Sequence, residues 1–437
     1  MKPTLDPEIH ARRRRRLMRR IGKTGIAILP TAPVCYRNRD ADYPYRPDSD
    51  FYYLTGFPEP EACLVMVPGH PEGEVWLFVR PRDPEQETWT GRRAGVEGAL
   101  RDYGADVAHP INELDQRMPE LLSHRRRVYF PLGRDPAFDR RVGEWLNQLR
   151  AKTRSGVHVP TEFVALDHLI HEQRLIKGRE ELRLMKQAAE ISMEAHRRAM
   201  RACQPGMMEY QLEAEYLHTF RRHGAVPAYN TIVAGGANAY ILHYTNNDQP
   251  LQAGDLVLID AGAEYGLYAA DITRTFPVDG RFRPAQREIY QLVLEAQRAA
   301  IAAVRPGNPW NAPHEAAVHV LTEGLVAIGL LEGEVEALIA DQAYRRFYMH
   351  RTGHWLGMDV HDVGEYKEGD DWRTLKPGMV LTVEPGLYLG EERDIPRRYR
   401  GIGVRIEDDV VVTRDGCRVL TEALPKTIDD IEALMAS

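Results

Sequence analysis

No stretch of this chain approaches the roughly 18 consecutive apolar residues of a spanning helix, and its N-terminus lacks the apolar core of a signal peptide. The segment IGKTGIAILP that follows Arg19 and Arg20 is short and broken by Lys23. Cysteine is scarce. Cys35, Cys63, Cys203 and Cys417 are widely separated and include no CxxC pair, so neither a disulfide framework nor a zinc ribbon is expected, and a reducing cytoplasm is the default compartment. Nor does charge of one sign dominate. The formal net charge is −7, from 64 acidic against 57 basic residues, which predicts neither a nucleic acid nor a membrane as partner. Nucleotide signatures fail too: GKT at 22–24 has Leu17 where a phosphate loop needs glycine, and AGG at 234–236 lacks a dinucleotide fingerprint. The run Arg12 to Arg16 is isolated in an acidic chain and reads as a solvated helix face rather than an anchor.

The chain has 437 residues, 43% of them hydrophobic, which suits two or three globular domains. Short apolar runs, GIAIL, CLVMV, EVWLFV and RRVYF, alternate with helical pattern in the first part and predict an α/β domain over 1–175. A long amphipathic segment, REELRLMKQAAEISMEAHRRAMRAC, then opens a second domain over 176–437, and Pro205 and Gly206 end that helix. Beyond it the order of elements repeats. Helices near 180–203 and 210–223 precede strands with Asp260 and Asp271, and helices near 286–304 and 313–328 precede strands with His354, Glu384 and Glu407. Two such halves facing each other would place all five side chains in the cleft between them.

Those five are metal-type ligands. Asp260, Asp271, Glu384 and Glu407 end or interrupt the apolar runs LVLIDAG, AADITRT, LTVEPGLY and GVRIEDD, where an unpaired carboxylate is costly and normally neutralises, pairs or binds a cation. Either aspartate alone would pass as a strand-end turn residue. His350 and His354, in HRTGHWLGMDVH, have the spacing of a zinc pair on a helix, but Gly353 and Gly357 disfavour a helix and Arg351 stands where an HExxH motif needs glutamate. One histidine as ligand, with His350 and His361 beside it, is the better assignment. Hard oxygens outnumber nitrogen and no thiolate joins them, which favours Mn(II), with Co(II), Fe(II) and Zn(II) also compatible. Four carboxylates balance two divalent cations, a pair suited to metal-assisted hydrolysis.

Read together, DADYPYRPDSDFYYLTGFPEPEA, YNTIVAGG, ILHYTNN, LVLIDAGAEY, DITRTFPVDG, HWLGMDVHDVG, VLTVEPGLY and RGIGVRIEDD resemble the aminopeptidase P (Xaa-Pro aminopeptidase) family, peptidase family M24, of the creatinase and methionine aminopeptidase superfamily. The resemblance covers nearly the whole chain apart from its first 20 or so residues. It implies a mixed α/β (α+β) architecture with a pita-bread catalytic domain behind a smaller α/β domain. It also implies two Mn(II) ions, with Asp260 on one, His354 and Glu384 on the other, and Asp271 and Glu407 bridging. By the same resemblance Glu384 is the general base and His361 contacts the scissile carbonyl, while His243, His350, Tyr388 and Arg405 line a proline subsite. The implied substrates are peptides with an Xaa-Pro N-terminus, with prolidase action on Xaa-Pro dipeptides as the alternative. A metal-free amidinohydrolase and a non-catalytic pita-bread binding module are disfavoured by the intact ligand set. Trp89, in PEQETWTGRRAG, is either packed locally in a loop or, as the family's EtWxGRR-type segment implies, an anchor against a neighbouring subunit, which makes a homo-oligomer the expectation, a tetramer or else a dimer.

Overall fold

In the computed structural model, which describes residues 4–437, the four apolar runs of the first part pair side by side, and two strands not marked by such runs, Val107–Pro110 and Glu162–Ala165, extend them at the edges into one six-stranded sheet. Its spatial order is Val107–Pro110, Val75–Val79, Cys63–Met66, Gly25–Pro30, Arg127–Phe130, Glu162–Ala165. Cys63–Met66 runs antiparallel to both neighbours, and the other pairs are parallel. The central strands are buried throughout, which is why they read as continuous apolar runs instead of alternating ones. Helices Leu114–Leu122 and Pro136–Arg150 add Met118, Trp145 and Leu146 to the core formed with Ile26, Ile28, Val65 and Phe78.

The arginine run lies in helix Pro7–Ile21, and the solvated face expected for it is only half right. Arg12, Arg15 and Arg16 are exposed, but Arg13 and Arg14 are buried. Arg13 donates to the Tyr53 carbonyl at 3.0 Å and stacks its guanidinium 3.8 Å from the Tyr53 ring centroid. Arg14 donates to the carbonyls of Leu54 at 2.7 Å and Gly104 at 2.9 Å. Consecutive helical residues point in different directions, so a five-residue run wraps the helix and part of it must face inward. Here the inward part meets free carbonyls at the C-terminal end of helix Ser49–Thr55, which need donors. Trp89 also departs from a locally packed loop: it sits on helix Pro84–Thr90, which buries no residue, and is 82% exposed.

The chain divides into two compact units, Thr4–Arg174 and Leu175–Ser437. The second begins with helix Arg179–Ala202, whose first free amide, Gly178 N, donates to Glu181 Oε2 at 2.8 Å. Leu184, Ala188, Ile191, Ala195 and Ala199 recur at helical spacing on its buried face. Helix Glu209–Arg222 follows, then an antiparallel sheet in the order Ile232–Gly235, Leu256–Asp260, Thr273–Pro277. The pattern recurs with helices Pro284–Ala303 and Ala312–Ala327 and the antiparallel sheet Val380–Val383, Asp408–Val412, Cys417–Val419. A ribbon of Gly386–Leu389 with Ile402–Arg405 accompanies the second sheet. One large core, including Ile259, Phe276, Val293, Leu381 and Val410, is shared by both halves. Among the described residues no helix is long and apolar enough to cross a membrane.

Candidate metal centre

Strand register places the four carboxylates. Asp260 pairs with Thr273, so Asp271, two residues before that partner, lies beside the end of the Asp260 strand. Val383 pairs with Asp408, and the residues just outside that antiparallel pair are Glu384 and Glu407, which therefore leave the sheet together. Glu407 N donates to Thr273 O at 3.1 Å, which joins the two sheets at this point. His354 comes from irregular backbone docked on the second sheet: its carbonyl accepts from Thr382 N at 3.0 Å and its own amide donates to Thr382 Oγ1 at 3.1 Å. A Cβ on Gly353 would stand 2.1 Å from Thr382 O, so glycine is what lets this segment approach. The helix that the spacing of His350 and His354 allows is absent, as the two glycines predict.

One atom each of Asp271, His354 and Glu407 lie within 4.8 Å of one another. His354 Nε2 stands 3.3 Å from Asp271 Oδ2 and 3.6 Å from Glu384 Oε1. Asp260 joins through Tyr229, whose hydroxyl is 2.7 Å from Asp260 Oδ1 and 2.5 Å from Asp271 Oδ1. This arrangement is short of hydrogens. Tyr229 has one hydroxyl hydrogen for two carboxylates. His354 Nδ1 donates to Trp355 O at 2.9 Å, which leaves Nε2 of the neutral ring with a lone pair facing two acceptors. Burial and like charge push Glu407 well above the carboxylate range, burial pushes Glu384 up to about 7, and burial raises Asp260. Burial works against a charged His354, but the bond to Asp271 and the charge of Glu384 overcome it and raise the imidazole to about 9. A set of buried acceptors that can coexist only by holding extra protons fits divalent cations.

All five residues line a single cavity of about 710 Å³, together with His243, His350, His361 and Arg405. His361 lies against His354, with ring centroids 4.2 Å apart. His350 is held neutral, pushed down to about 3 by burial and the Arg405 charge. Its Nδ1 donates to Arg351 O at 2.7 Å, and its Nε2 accepts from the Tyr388 hydroxyl at 2.8 Å. Arg405 is largely committed to protein acceptors: Asp260 Oδ2 at 2.6 Å, Tyr388 OH at 3.1 Å and Thr273 Oγ1 at 3.1 Å. Tyr388 is buried and absent from the cavity lining, so it braces His350 and Arg405 from behind instead of forming a wall. His243 is exposed at the rim. Trp89 belongs to the other unit.

Sequence reasoning passed over four supporting residues. Tyr229 opens the motif YNTIVAGG, where nothing in the local pattern marks its hydroxyl as a partner of Asp260 and Asp271. Thr273 donates to Glu407 Oε2 at 2.7 Å, Thr382 lies 3.3 Å from Glu384 Oε1, and the buried Asp409 accepts from Asp271 N at 3.2 Å. A signal was available for both threonines, since each lies two residues from a carboxylate along a strand edge and so shares its face.

Two family descriptions match the chain: metallopeptidase family M24 over residues 183–414, and the aminopeptidase P N-terminal domain over residues 10–129. The Xaa-Pro aminopeptidase of Escherichia coli is 46% identical over 428 residues, covering 98% of this chain and 97% of that one. Among solved structures, Pseudomonas aeruginosa aminopeptidase PepP superposes with a TM-score of 0.98 at 57% identity, covering 99% of this chain and 98% of that one. Zinc-substituted Escherichia coli aminopeptidase P, in complex with product, superposes with a TM-score of 0.96 at 45% identity over 99% of both chains. With its buried carboxylate and histidine cluster, its paired helix and sheet halves and these matches along nearly its full length, the chain belongs to metallopeptidase family M24, as an aminopeptidase P-type protein with a pita-bread domain behind an aminopeptidase P N-terminal domain.

Proposed function

We propose that this enzyme is a two-metal aminopeptidase that releases the N-terminal residue from peptides with proline in second place. The observation that carries the reading is the acceptor-rich cluster of Asp260, Asp271, His354, Glu384 and Glu407 lining a peptide-sized cavity. Its relatives' activity as Xaa-Pro aminopeptidases supports the substrate class. The five side chains would hold two Mn(II) ions, with Asp271 and Glu407 between them; such ions supply Lewis acidity and an acidified water. Glu384, which reaches the cavity from the end of strand Val380–Val383, would serve as the base that takes up a proton from that water. His361 would donate a hydrogen bond to the carbonyl oxygen as negative charge develops there.

Proline at the second position makes the scissile bond a tertiary amide without N–H, so recognition must rest on ring shape. A neutral His350, fixed by Tyr388 and set edge-on to Tyr348 with ring centroids 4.9 Å apart, offers a rigid apolar surface for a pyrrolidine ring, and His243 would close over it from the rim. The substrate's α-amine would seek the acidic cluster, which limits cleavage to the first residue. We further infer a homo-oligomer, a tetramer or a dimer, with exposed Trp89 as a contact to a second copy, and a cytoplasmic setting in keeping with four unpaired cysteines.

Mass spectrometry of peptide digests tests the reading. Xaa-Pro-Yaa should lose one residue, while the acetylated peptide and Xaa-Ala-Yaa should persist. Cleavage of the Xaa-Pro dipeptide with sparing of longer peptides would turn the assignment to a dipeptidase, and equal cleavage of Xaa-Ala-Yaa would remove proline specificity.

A further inference from the structure

We infer that Lys177 and Asp362 are positioning residues for His361; the inference rests on the peptidase reading of the cavity. Residues 356–364 carry His361 and contain neither helix nor strand, so no ladder of backbone hydrogen bonds sets their course. Within this loop His361 and Asp362 point opposite ways. The imidazole lines the cavity against His354, with ring centroids 4.2 Å apart. The carboxylate turns into the protein, where its Oδ2 accepts from Lys177 Nζ at 2.9 Å, and each of the two side chains is only 1% exposed.

Both partners are tied to fixed backbone. Lys177 N donates to Gly378 O at 2.8 Å, two residues before strand Val380–Val383. Asp362 N donates to Trp355 O at 2.8 Å, and Trp355 bridges to Leu381 of that strand. A Cβ added to Gly357 would lie 2.2 Å from Asp362 Oδ2 and 2.8 Å from Lys177 Cε, so the backbone of the same loop packs directly against the pair. The desolvation cost of a buried ion pair largely offsets its attraction, which makes it a poor source of net stability. What it does provide is geometry: the attraction is satisfied with the carboxylate in one place only. His361, the adjacent residue on an otherwise unladdered loop, is thereby aimed at the cavity. A group that must meet developing charge loses most of its effect when displaced by about an ångström.

The test uses full-length Lys177→Met in the parent and in a His361→Ala background, with Lys177→Arg as the conservative variant and kinetics on an Xaa-Pro-Yaa peptide. Expected are a kcat lowered about tenfold at nearly constant KM and unchanged metal content, with most of the loss regained in Lys177→Arg. In the His361→Ala background Lys177→Met should cost nothing further, because the two changes act through one group. The crystal structure of Lys177→Met should show the His361 ring moved off His354. Retention of that edge-on contact, or an undiminished Lys177→Met cost when His361 is already gone, overturns the proposal. Asp362→Asn, which keeps volume and loses the charge, takes the place of Lys177→Met through the same measurements if the latter does not fold. A parent enzyme inactive on Xaa-Pro-Yaa would count against the peptidase reading, while the crystal structure of the variant would still decide the positioning.

Discussion

Arg405 reaches Asp260 from the neighbouring ribbon and donates from Nη2 to its Oδ2 across 2.6 Å, with both side chains largely buried. One oxygen of the carboxylate is thus occupied by a fixed cation, while the other faces Tyr229. Removing the guanidinium has two opposed effects on a metal at this site. Loss of a positive charge alone would tighten binding, whereas loss of the brace frees the carboxylate to rotate. Partners of this kind typically matter 10- to 100-fold, on the order of 1.4 to 2.7 kcal/mol, so the brace should win. Arg405→Ala is expected to bind Mn(II) more weakly and to turn over about 10- to 100-fold more slowly, as read by metal titration and steady-state kinetics; tighter binding would mean that charge dominates.

Metal removal should lower stability as well as activity. Burial and mutual repulsion push Asp260, Glu384 and Glu407 towards their protonated forms when they face one another without a cation. Bound cations relieve that repulsion. A ligand at 100 times its Kd stabilises by about 2.7 kcal/mol. Calorimetry should show a lower Tm after chelation and recovery with Mn(II). The recovery should shrink as pH falls, because protons compete for the same oxygens. Glu407→Gln should lose much of the Mn(II)-dependent rise and most turnover.

His196 gives the metal-free fold a pH dependence of its own. The ring is fully buried, its Nε2 donates to Ala261 O at 3.1 Å, and its Nδ1 accepts from Tyr216 OH at 2.9 Å. Burial and the charge of Arg274 push it from 6.5 down to about 3. Between those values the unfolded chain takes up a proton that the folded chain refuses, so stability declines as pH falls below about 6.5, by ~1.4 kcal/mol per pH unit for this group. Urea unfolding of the chelated protein at pH 7 and 5 should show the decline. His196→Gln should be less stable at pH 7 and show a shallower slope.

Two of the three cavity histidines not assigned to metal, His361 and His243, should separate in kinetics. His361, beside His354, is expected to act on charge that develops in the transition state, so His361→Ala should lower kcat by on the order of 10² to 10³ with little change in KM. His243, exposed at the rim, should contribute to binding, and His243→Ala should shift both constants. An unchanged kcat in His361→Ala would assign that ring to structure.

Trp89 is the exposed aromatic from which we expect assembly. Light scattering should find a species several times the 49.8 kDa of one chain. Trp89→Ala should weaken peptide binding and leave metal content intact. A fully active monomer whose Trp89→Ala kinetics match the parent would rule out this role.

The four central strands of the first unit and the helices of both halves were legible in the sequence because local pattern alone encodes them: apolar runs for buried strands, helical spacing and Pro-Gly stops for Arg179–Ala202; the edge strands Val107–Pro110 and Glu162–Ala165, only partly buried, carry no such run. The four ligand-type carboxylates were legible for a related reason, since a carboxylate at the end of LVLID or LTVE contradicts its surroundings unless something compensates it, whereas His354 was singled out by the family resemblance. Which residues compensate one another was decided by the tertiary structure. Residues 134 apart in the chain, Thr273 and Glu407, share a hydrogen bond, Arg405 reaches back to Asp260, and Lys177 finds Asp362 185 positions away. The inward turn of Arg13 and Arg14 likewise depended on carbonyls 40 residues on, at the end of another helix. Periodicity and composition record what a residue costs to bury. The partner that offsets the cost is set by strand register and loop packing, which bring distant segments to within 3 Å and leave no trace in the spacing along the chain.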